Sequence, residues 1–421
     1  MAYDLSGIMG TDFLRPCLSI PNLLSKVRIA MNVAMLVLNA FIHDTRVQKE
    51  AKTLAGAGYR VRIFALHGPG LPRKETRDGY EVEWIPLRSR PWGTLLVIRF
   101  LKYLEFCIRA IYRICHYHPD VVHAHDINAL VPAYIAARLR KARLVYDAHE
   151  LWADRHATLL RAAWIRRLVV LVEKFLARRA DAVITVNPSI AKLLSQWYRI
   201  PAPVVVMHCQ EYQDVKRNEI LRQELGIPSN QRIVIYAGLF APGRGLETLI
   251  KAATYLDQAV IVLMGKDGMN GRLHRLVTKL GLQNRVFIRE PVPPEKVLDY
   301  VASADLGVIP TQSIDLSYHY SLENKIFHCL TAGIPIAVSD QPEKRRIIET
   351  YSVGAVFDQT DPRDIARVIN ALLSDQDTYQ AMSQRARQVA QRVLNWQVES
   401  RKLLALYERL LETNPIARES R

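Results

Sequence analysis

The sequence predicts an α/β protein with two Rossmann-like domains, each a doubly wound parallel sheet, and a cleft between them. Val- and Ile-rich runs alternate with helical patterns through residues 28–210, as expected for parallel strands covered by helices on both faces. A polar stretch without periodicity, 209–218, interrupts this alternation, which then restarts and continues to residue 392. The length of 421 residues is consistent with two or three domains.

Each predicted element of the first domain follows from its apolar pattern and from the residues that end it. Gly56 and Gly58 close the first helix, and a His-Pro-Asp sequence closes the second. The predicted strands span 27–38, 59–66, 80–87, 120–125, 144–149, 182–186 and 204–208. The predicted helices span 46–57, 94–117, 128–140 and 158–179.

The second domain repeats the alternation of strands and helices, and an amphipathic helix over 396–411 follows it. Its predicted strands span 232–237, 259–264, 286–289, 306–309, 334–339 and 353–357. The predicted divisions of the chain are an N-terminal extension, two domains and a closing helix, at 1–27, 28–210, 218–392 and 393–412.

The charge of the chain is concentrated in its first half. Net charge is +16, and residues 1–210 carry 30 Lys and Arg against 16 Asp and Glu, a net of +14. Residues 211–421 carry 27 against 25, a net of +2. A basic first half indicates an anionic partner there, either a phospholipid surface, a diphosphate lipid or nucleic acid. No nucleic-acid-binding module is recognisable, so nucleic acid is not a predicted partner.

Cysteine usage and hydropathy predict a cytoplasmic protein. The five cysteines show no ligand spacing, which predicts neither a disulfide framework nor structural zinc. No run of 18 apolar residues predicts a membrane-spanning helix. The helices at 94–117 and 158–179 mix apolar with basic residues, and we expect their apolar faces in the core. Their basic faces are suited to peripheral contact with anionic headgroups on the inner face of a membrane.

Two segments of the second domain each place one cationic side chain at a turn or at the start of a helix. Gly238 ends a predicted strand, and Gly243, Arg244 and Gly245 follow in a Pro-Gly-Arg-Gly turn before a helix. Such glycines let backbone N–H groups approach an anion, and arginine offers a fork for phosphate oxygens.

The second segment opens a helix with Asn324 and Lys325. A lysine in the first turn opposes the helix dipole, and a nearby anion would relieve that conflict. Ligands of open parallel sheets bind outside the carboxyl ends of the strands. The two segments together therefore predict a diphosphate site in the cleft.

Polar side chains also follow the strands of the first domain. His125 ends one strand, and His149 and Glu150 follow the next. The spacing lacks a compact ligand pattern, so no metal site is predicted. After the first strand, Asp44 and Arg46 begin a helix. Asp44 either caps that helix or faces the cleft, and the sequence leaves both interpretations open.

Seven segments in order resemble the retaining nucleotide-sugar glycosyltransferases of the GT-B fold, specifically glycosyltransferase family 4. The resemblance spans about 28–412 and is far more specific than any single motif. Its segments are HDTRVQKEAKTLAGAGYRV, PDVVHAHD, RLVYDAHELWADR, RRADAVITVN, YAGLFAPGRGLETLIKA, ADLGVIP and LENKIFHCLTAGIPIAVSD.

The resemblance implies a role for each matched position. His125, Glu150, Arg244 and Lys325 are the expected catalytic residues, and the closing helix is expected to cross back to the first domain. Asp44, Arg46 and His149 are expected on the acceptor side. The expected donor contacts are Gly238, Gly243, Arg244, Gly245, Tyr320, Asn324, Lys325 and His328.

The chain departs from the family pattern at four positions. Tyr320 and His328 stand where the family commonly has two glutamates, of which the second usually holds the nucleotide ribose. Glu323 replaces a usual proline, and Leu239 follows Gly238 where a cation is usual. We expect these changes to affect the affinity for the donor more than catalysis.

The resemblance implies transfer of a sugar from a nucleoside-diphosphate sugar to a hydroxyl, with retention and without a tightly bound cofactor. A lipid-linked or cell-surface glycan is the expected acceptor. Two other functions remain open. A catalytically impaired paralogue would serve as a binding subunit of a glycan-assembly complex, and a nucleotide-sugar epimerase would share the same architecture.

Overall fold

The computed structural model describes residues 31–42, 44–151 and 163–412. The predicted N-terminal extension, the first part of the helix predicted at 158–179 and the tail after residue 412 lie outside these residues. The described chain forms two α/β domains, each built on one sheet, and the predicted fold class is confirmed. No helix of the described residues is long and apolar enough to cross a membrane.

The first sheet has eight strands in the order β3-β4-β2-β1-β5-β6-β7-β8. Seven are parallel, and β3 pairs antiparallel with β4 at one edge. The sequence prediction missed β3 because its residues, KETR, are polar and lie at an exposed edge. The strands are β1 Asn32–Leu36, β2 Arg60–Leu66, β3 Lys74–Arg77, β4 Tyr80–Ile85, β5 Val121–His125, β6 Arg143–Ala148, β7 Ala182–Thr185 and β8 Val204–Val205.

Five helices of the described first domain pack around this sheet, together with the last helix of the chain. Asp44 caps the first of them by accepting a hydrogen bond from the backbone N–H of Val47, as one of the two interpretations predicted. The helices are α1 Thr45–Gly56, α2 Leu96–Tyr117, α3 Asp126–Arg140, α4 Ala163–Ala177 and α5 Pro188–Tyr198.

The second sheet has six parallel strands in the order β11-β10-β9-β12-β13-β14. The order reverses between β9 and β12, which leaves a crevice at their carboxyl ends. The strands are β9 Arg232–Ala237, β10 Ala259–Met264, β11 Val286–Arg289, β12 Leu306–Ile309, β13 Ile336–Ser339 and β14 Gly354–Phe357. The α-helices are α6 Ile220–Leu225, α7 Leu246–Ala252, α8 Arg272–Lys279, α9 Val297–Ala302, α10 Leu316–His319, α11 Asn324–Ala332, α12 Pro342–Tyr351, α13 Pro362–Ser374 and α14 Gln376–Arg392.

The last helix, α15 (Trp396–Glu412), packs against the first domain, as the resemblance implies. The indole N–H of Trp396 donates to the hydroxyl of Thr53 at 3.0 Å, and the hydroxyl of Tyr407 lies 2.9 Å from Nδ1 of the buried His123. The helix therefore ties the end of the chain to the core of the first domain.

The sequence prediction for the apolar faces of α2 and α4 is confirmed only in part. Phe106 and Ile114 of α2 and Leu176 of α4 are buried in the core, as predicted. Many other large apolar side chains of the two helices are exposed, because no described element covers this side of the domain. Helix α2 packs on α3 and α3 on α4, so these exposed side chains lie on three adjoining helices. We call this set of side chains the apolar ridge, and it comprises Leu96, Phe100, Leu104, Ile108, Ile135, Leu139, Trp164, Leu168, Leu171 and Phe175.

Candidate active site in the cleft

A cavity of about 760 Å³ opens between the two domains at the carboxyl ends of their strands. The first domain contributes the loop after β1, the residues after β6 and the start of α5. The second contributes Arg244 and the segment from α10 to α11. Hydrogen bonds link the two walls, for example from the side-chain amide of Asn187 to the carbonyl of Tyr320 at 2.8 Å.

The Pro-Gly-Arg-Gly turn after β9 needs its glycines for two reasons. Gly243 and Gly245 have φ values of 81° and 72°, in the left-handed region that favours glycine. A Cβ on Gly245 would lie 1.8 Å from the carbonyl oxygen of Pro310, and a Cβ on Gly243 would lie 2.6 Å from Ile314. These close approaches fix the turn against the end of β12, and α7 follows without a side-chain cap.

Arg244 extends from this turn into the cleft. Its guanidinium lies 5.1 Å from the centre of the Tyr318 ring, and its Nη1 atom is 3.7 Å from Oε1 of Glu323. The side chain is 26% exposed and lines the cavity. A cation held this loosely can exchange its protein carboxylate for a ligand phosphate.

Lys325 lies in the first turn of α11, beside the end of β9. Its Nζ atom is 4.8 Å from the centre of the Tyr236 ring, and a Cβ on Gly238 would lie 3.5 Å from it. Burial lowers the pKa of Lys325 to about 8, with Glu323 opposing that shift and Arg244 adding to it. The two predicted cations therefore lie close enough to influence each other. Lys325 itself is set back from the lining of the cavity, which Asn324 reaches.

Glu323 is the carboxylate that these cations share. The sequence analysis noted it only as a residue that replaces the family's usual proline. Burial alone would raise its pKa, but Lys344, Lys325, a hydrogen bond from Thr311 and Arg244 lower it to about 2. Lys344 lies 21 positions after Glu323 in the sequence. It was not predicted as part of the site, because nothing in the sequence distinguishes it from a surface lysine. The carboxylate is thus ionised and surrounded by three cations.

The wall formed by the first domain contains a buried ion network. Arg46 donates two hydrogen bonds to Asp147, at 2.9 and 3.0 Å, and its Nε atom lies 3.1 Å from Glu50. Burial raises the pKa of Glu50 to about 8, and Asp147 adds to that shift. Arg46 lines the cavity, yet its guanidinium is committed to carboxylates of its own domain.

His149 is the charged histidine of this wall. Burial opposes its charge, but Asp126 and Asp147 raise the pKa of His149 to about 9. Its Nε2 atom lies 2.9 Å from Asp147, and its backbone N–H donates to Asp126 at 3.1 Å. Asp126 holds a φ of 61°, a strained value for a residue other than glycine. His149 and Glu150 both line the cavity.

His125 lies behind His149, not in the lining of the cavity. Its Nδ1 atom is 3.3 Å from Nε2 of His149 and 3.5 Å from Asp147. Burial lowers the pKa of His125, so the ring is neutral at pH 7. His149, and not His125, therefore lines the cavity.

Four buried side chains of ligand type, Glu50, His123, His125 and Asp147, come within 4.8 Å of one another. Arg46 and His149 offset the charge of Asp147, and burial keeps Glu50 protonated at pH 7, so the donor set does not require a metal ion.

Tyr320 and His328 are placed at the boundary between the domains. Tyr320 packs against the apolar core of the first domain, and its ring lies edge-on to His319 at 4.8 Å. Burial lowers the pKa of His328 to about 4, with Lys49 and Lys325 adding to that shift. His328 is therefore neutral at pH 7, and neither ring lines the cavity.

Two doubly wound domains facing each other across such a cleft are the architecture of GT-B glycosyltransferases, and comparison with known proteins agrees. Residues 43–210 match the family model of the glycosyl transferase 4-like domain, and residues 217–389 match that of the glycosyl transferases group 1. Together the two models cover most of the chain, which therefore belongs to the glycosyltransferases that have these two domains, as its motifs predicted.

One named relative is also a glycosyltransferase, and two solved structures share the fold. The chain is 23% identical over 311 residues to a D-inositol 3-phosphate glycosyltransferase of Thermobispora bispora, covering 70% of this chain and 71% of that protein. Sucrose-phosphate synthase of Thermosynechococcus elongatus superposes with a TM-score of 0.77 at 19% identity, over 91% of this chain and 100% of the other. HepE of Anabaena, in complex with UDP-glucose, superposes with a TM-score of 0.68 at 19% identity, over 91% and 100%.

Proposed function

We propose that this glycosyltransferase moves a sugar from a nucleoside-diphosphate sugar to a hydroxyl acceptor and keeps the anomeric configuration. The observation that carries the proposal is the convergence of Arg244 and Lys325 beside one carboxylate at the donor side of the cleft. A diphosphate is the part of the donor that two cations from two loops would hold. The complex of HepE with UDP-glucose supports a donor of this class.

In the proposed reaction the cations act on charge that develops as the glycosidic bond breaks. Arg244 and Lys325 stabilise the leaving diphosphate, which they already hold when the glycosidic bond begins to break. The acceptor hydroxyl attacks from the same face and passes its proton to the leaving phosphate, so no protein nucleophile is needed. His149 and Glu150 stand on the opposite wall, where they contact the sugar or the acceptor.

We place His149, not His125, next to the transferred sugar. His149 lines the cavity, whereas His125 lies behind the ring of His149. His125 and Asp147 both contact that ring and hold it in place. Asp44, Arg46 and Glu150 complete the acceptor side of the wall.

The acceptor we propose is a lipid-linked or membrane-proximal glycan, reached by peripheral contact of the first domain with anionic lipid. The apolar ridge gives that contact an apolar component, and the exposed Arg99, Arg138, Arg166 and Arg167 lie on the same three helices. Apolar side chains beside arginines fit the boundary between headgroups and acyl chains. The name of the relative from Thermobispora bispora indicates a different acceptor, an inositol phosphate.

The donor class is tested by a thermal-shift panel of UDP-, GDP- and dTDP-sugars. We expect one nucleotide to raise the melting temperature of the wild type and to lose that effect in Arg244→Ala. Arg367→Ala is the matched control, because Arg367 is an exposed arginine of the same domain outside the cleft. Absence of any shift in the wild type would contradict the proposal and favour the binding-subunit alternative.

Retention is tested separately, by nuclear magnetic resonance of the product formed from an α-linked donor. A new α-linkage is expected. A β-linkage would show inversion, and an epimerised sugar without any acceptor would support the epimerase alternative.

Membrane contact is tested by flotation with vesicles that contain phosphatidylglycerol at low salt. The wild type is expected to float, and Leu171→Asp is expected to remain in solution because it places a charge in the apolar ridge. Leu280→Asp is the control, since Leu280 is a partly exposed leucine of the second domain, 38% exposed against 62% for Leu171. A wild type that stays in solution would contradict this part of the proposal.

A further inference from the structure

Glu323 contributes a carboxylate to the donor site at a position where the family pattern usually has a proline. It precedes α11 in the N-cap position, but its side chain makes no capping hydrogen bond to that helix. Instead the hydroxyl of Thr311 donates to Oε1, and Nζ of Lys344 lies 3.1 Å from Oε2. The carboxylate therefore turns away from its own helix and towards the floor of the cleft.

Lys344 is the fixed partner of this carboxylate. Its side chain has 0% exposure, and its ammonium also contacts the hydroxyl of Ser339 at 3.2 Å and the side-chain oxygen of Gln341. A lysine so deeply buried keeps its charge only beside a compensating anion. Glu323 supplies that anion, and Lys344 does not reach the lining of the cavity.

Arg244 is the exchangeable partner. Its Nη1 atom lies 3.7 Å from the carboxylate, further than Lys344, and its side chain is 26% exposed. An ion pair that is longer and reachable by water is weaker than a short buried one. A ligand phosphate would thus compete with Glu323 for Arg244, while Lys344 would keep its hold on Glu323.

We propose that Glu323 is a positioning residue of the donor site, a built-in counter-anion tethered to Lys344 that releases Arg244 when the donor diphosphate binds. This inference rests on the proposed donor class. Before the donor binds, Glu323 holds the guanidinium near the cleft and offsets part of the repulsion among the three cations. When donor is present, its negative charge competes with the diphosphate and limits affinity.

The carboxylate also affects Lys325. Burial lowers the pKa of Lys325 to about 8, and Glu323 is the first influence that opposes this shift. Without the negative charge, Lys325 would lose its proton at a lower pH. Replacing Glu323 by glutamine thus has two effects of opposite sign, which the pH of the experiment separates.

The experiment is calorimetric titration of the full chain with UDP-glucose, and with GDP-mannose as a second probe, between pH 6 and 8.5. At pH 6, Glu323→Gln is expected to bind about fivefold more tightly than the wild type, because a nearby like charge is removed. Its affinity is expected to fall at a lower pH than that of the wild type. Asp340→Asn, which removes an exposed carboxylate paired with Arg345, is expected to match the wild type throughout.

Two results would overturn the inference. A uniform loss of affinity at every pH would show that Glu323 only supports the fold, and an unchanged pH profile would show that it does not act on the cations. If Glu323→Gln fails to fold, the double variant Glu323→Gln with Lys344→Met replaces it, because it also removes the lysine that has lost its counter-charge. The same affinities and pH dependence are expected of the double variant. A wild type that binds neither probe nor any sugar in the panel removes the proposed function, and the inference with it.

Discussion

His149 shows how strongly one residue of this cleft depends on its neighbours. Asp126 and Asp147 keep the ring charged despite its burial, and they raise its pKa from 6.5 to about 9. The folded state therefore binds this proton more tightly than the unfolded chain. The stabilisation is complete below pH 6.5 and is lost as the pH rises through 9.

His149→Gln removes this titration and tests the assignment. The difference in the free energy of unfolding between wild type and variant is expected to shrink by up to about 3 kcal/mol between pH 6.5 and 9. Urea unfolding at several pH values measures it. A difference that does not change with pH would show that His149 is neutral in the folded protein.

Gly245 is a second residue whose role can be isolated. Gly245→Ala is expected to weaken donor binding strongly, because its Cβ would lie 1.8 Å from the carbonyl of Pro310 and displace the turn that carries Arg244. Gly226→Ala is the matched control, since Gly226 has a φ of 62° and open space around it. Both variants lose about 1 kcal/mol to the left-handed backbone. Equal donor binding in the two variants would contradict this role.

The positions of Arg244 and Lys325 were predictable from the sequence, because glycines and a helix start mark the turns that carry them. The ion pair between Glu323 and Lys344 was not, since it joins residues 21 positions apart that the fold brings together. His149 and His125 were both recognised at strand ends. Which of the two faces the cleft is set by side-chain packing, and that information is absent from the strand pattern.

At the scale of elements, the packing of the closing helix, α15, against the first domain can be tested through one of its side chains. Its Tyr407 is buried, and the hydroxyl lies 2.9 Å from Nδ1 of His123. Tyr407→Phe leaves a buried nitrogen without that partner and is expected to lower the free energy of unfolding by about 1 to 3 kcal/mol.

Tyr112→Phe is the control for this change, because Tyr112 is an exposed tyrosine on α2. It is expected to have no measurable effect in the same urea titration. Equal stabilities of the two variants would show that α15 does not depend on this hydrogen bond.

The apolar pattern of the sequence located the central strands and the long helices well. It failed for β3, whose four residues are polar, and for the large apolar side chains of α2 and α4 that are exposed. An amphipathic pattern shows that a helix has two faces. It does not show which face is covered when apolar residues occur on both, as they do around Phe106 and Phe100 of α2.

At the scale of the whole molecule, the site exists only because the two domains meet. Hydrogen bonds cross the cleft from Asn187 to Tyr320, from Ser189 to Glu343 and from Leu151 to Ser317. The sequence predicted two sheets and a cleft between their carboxyl ends. It did not predict these contacts, because residues more than 130 positions apart form them.

The most direct test of the account is calorimetric titration of UDP-glucose and GDP-mannose into the wild type, Arg244→Ala and Lys325→Met at pH 7. One sugar nucleotide is expected to bind the wild type and to lose at least about tenfold in affinity in each variant, since each removes a cation from the diphosphate. Unchanged affinity in both variants would show that the donor diphosphate is held elsewhere, and would contradict the account.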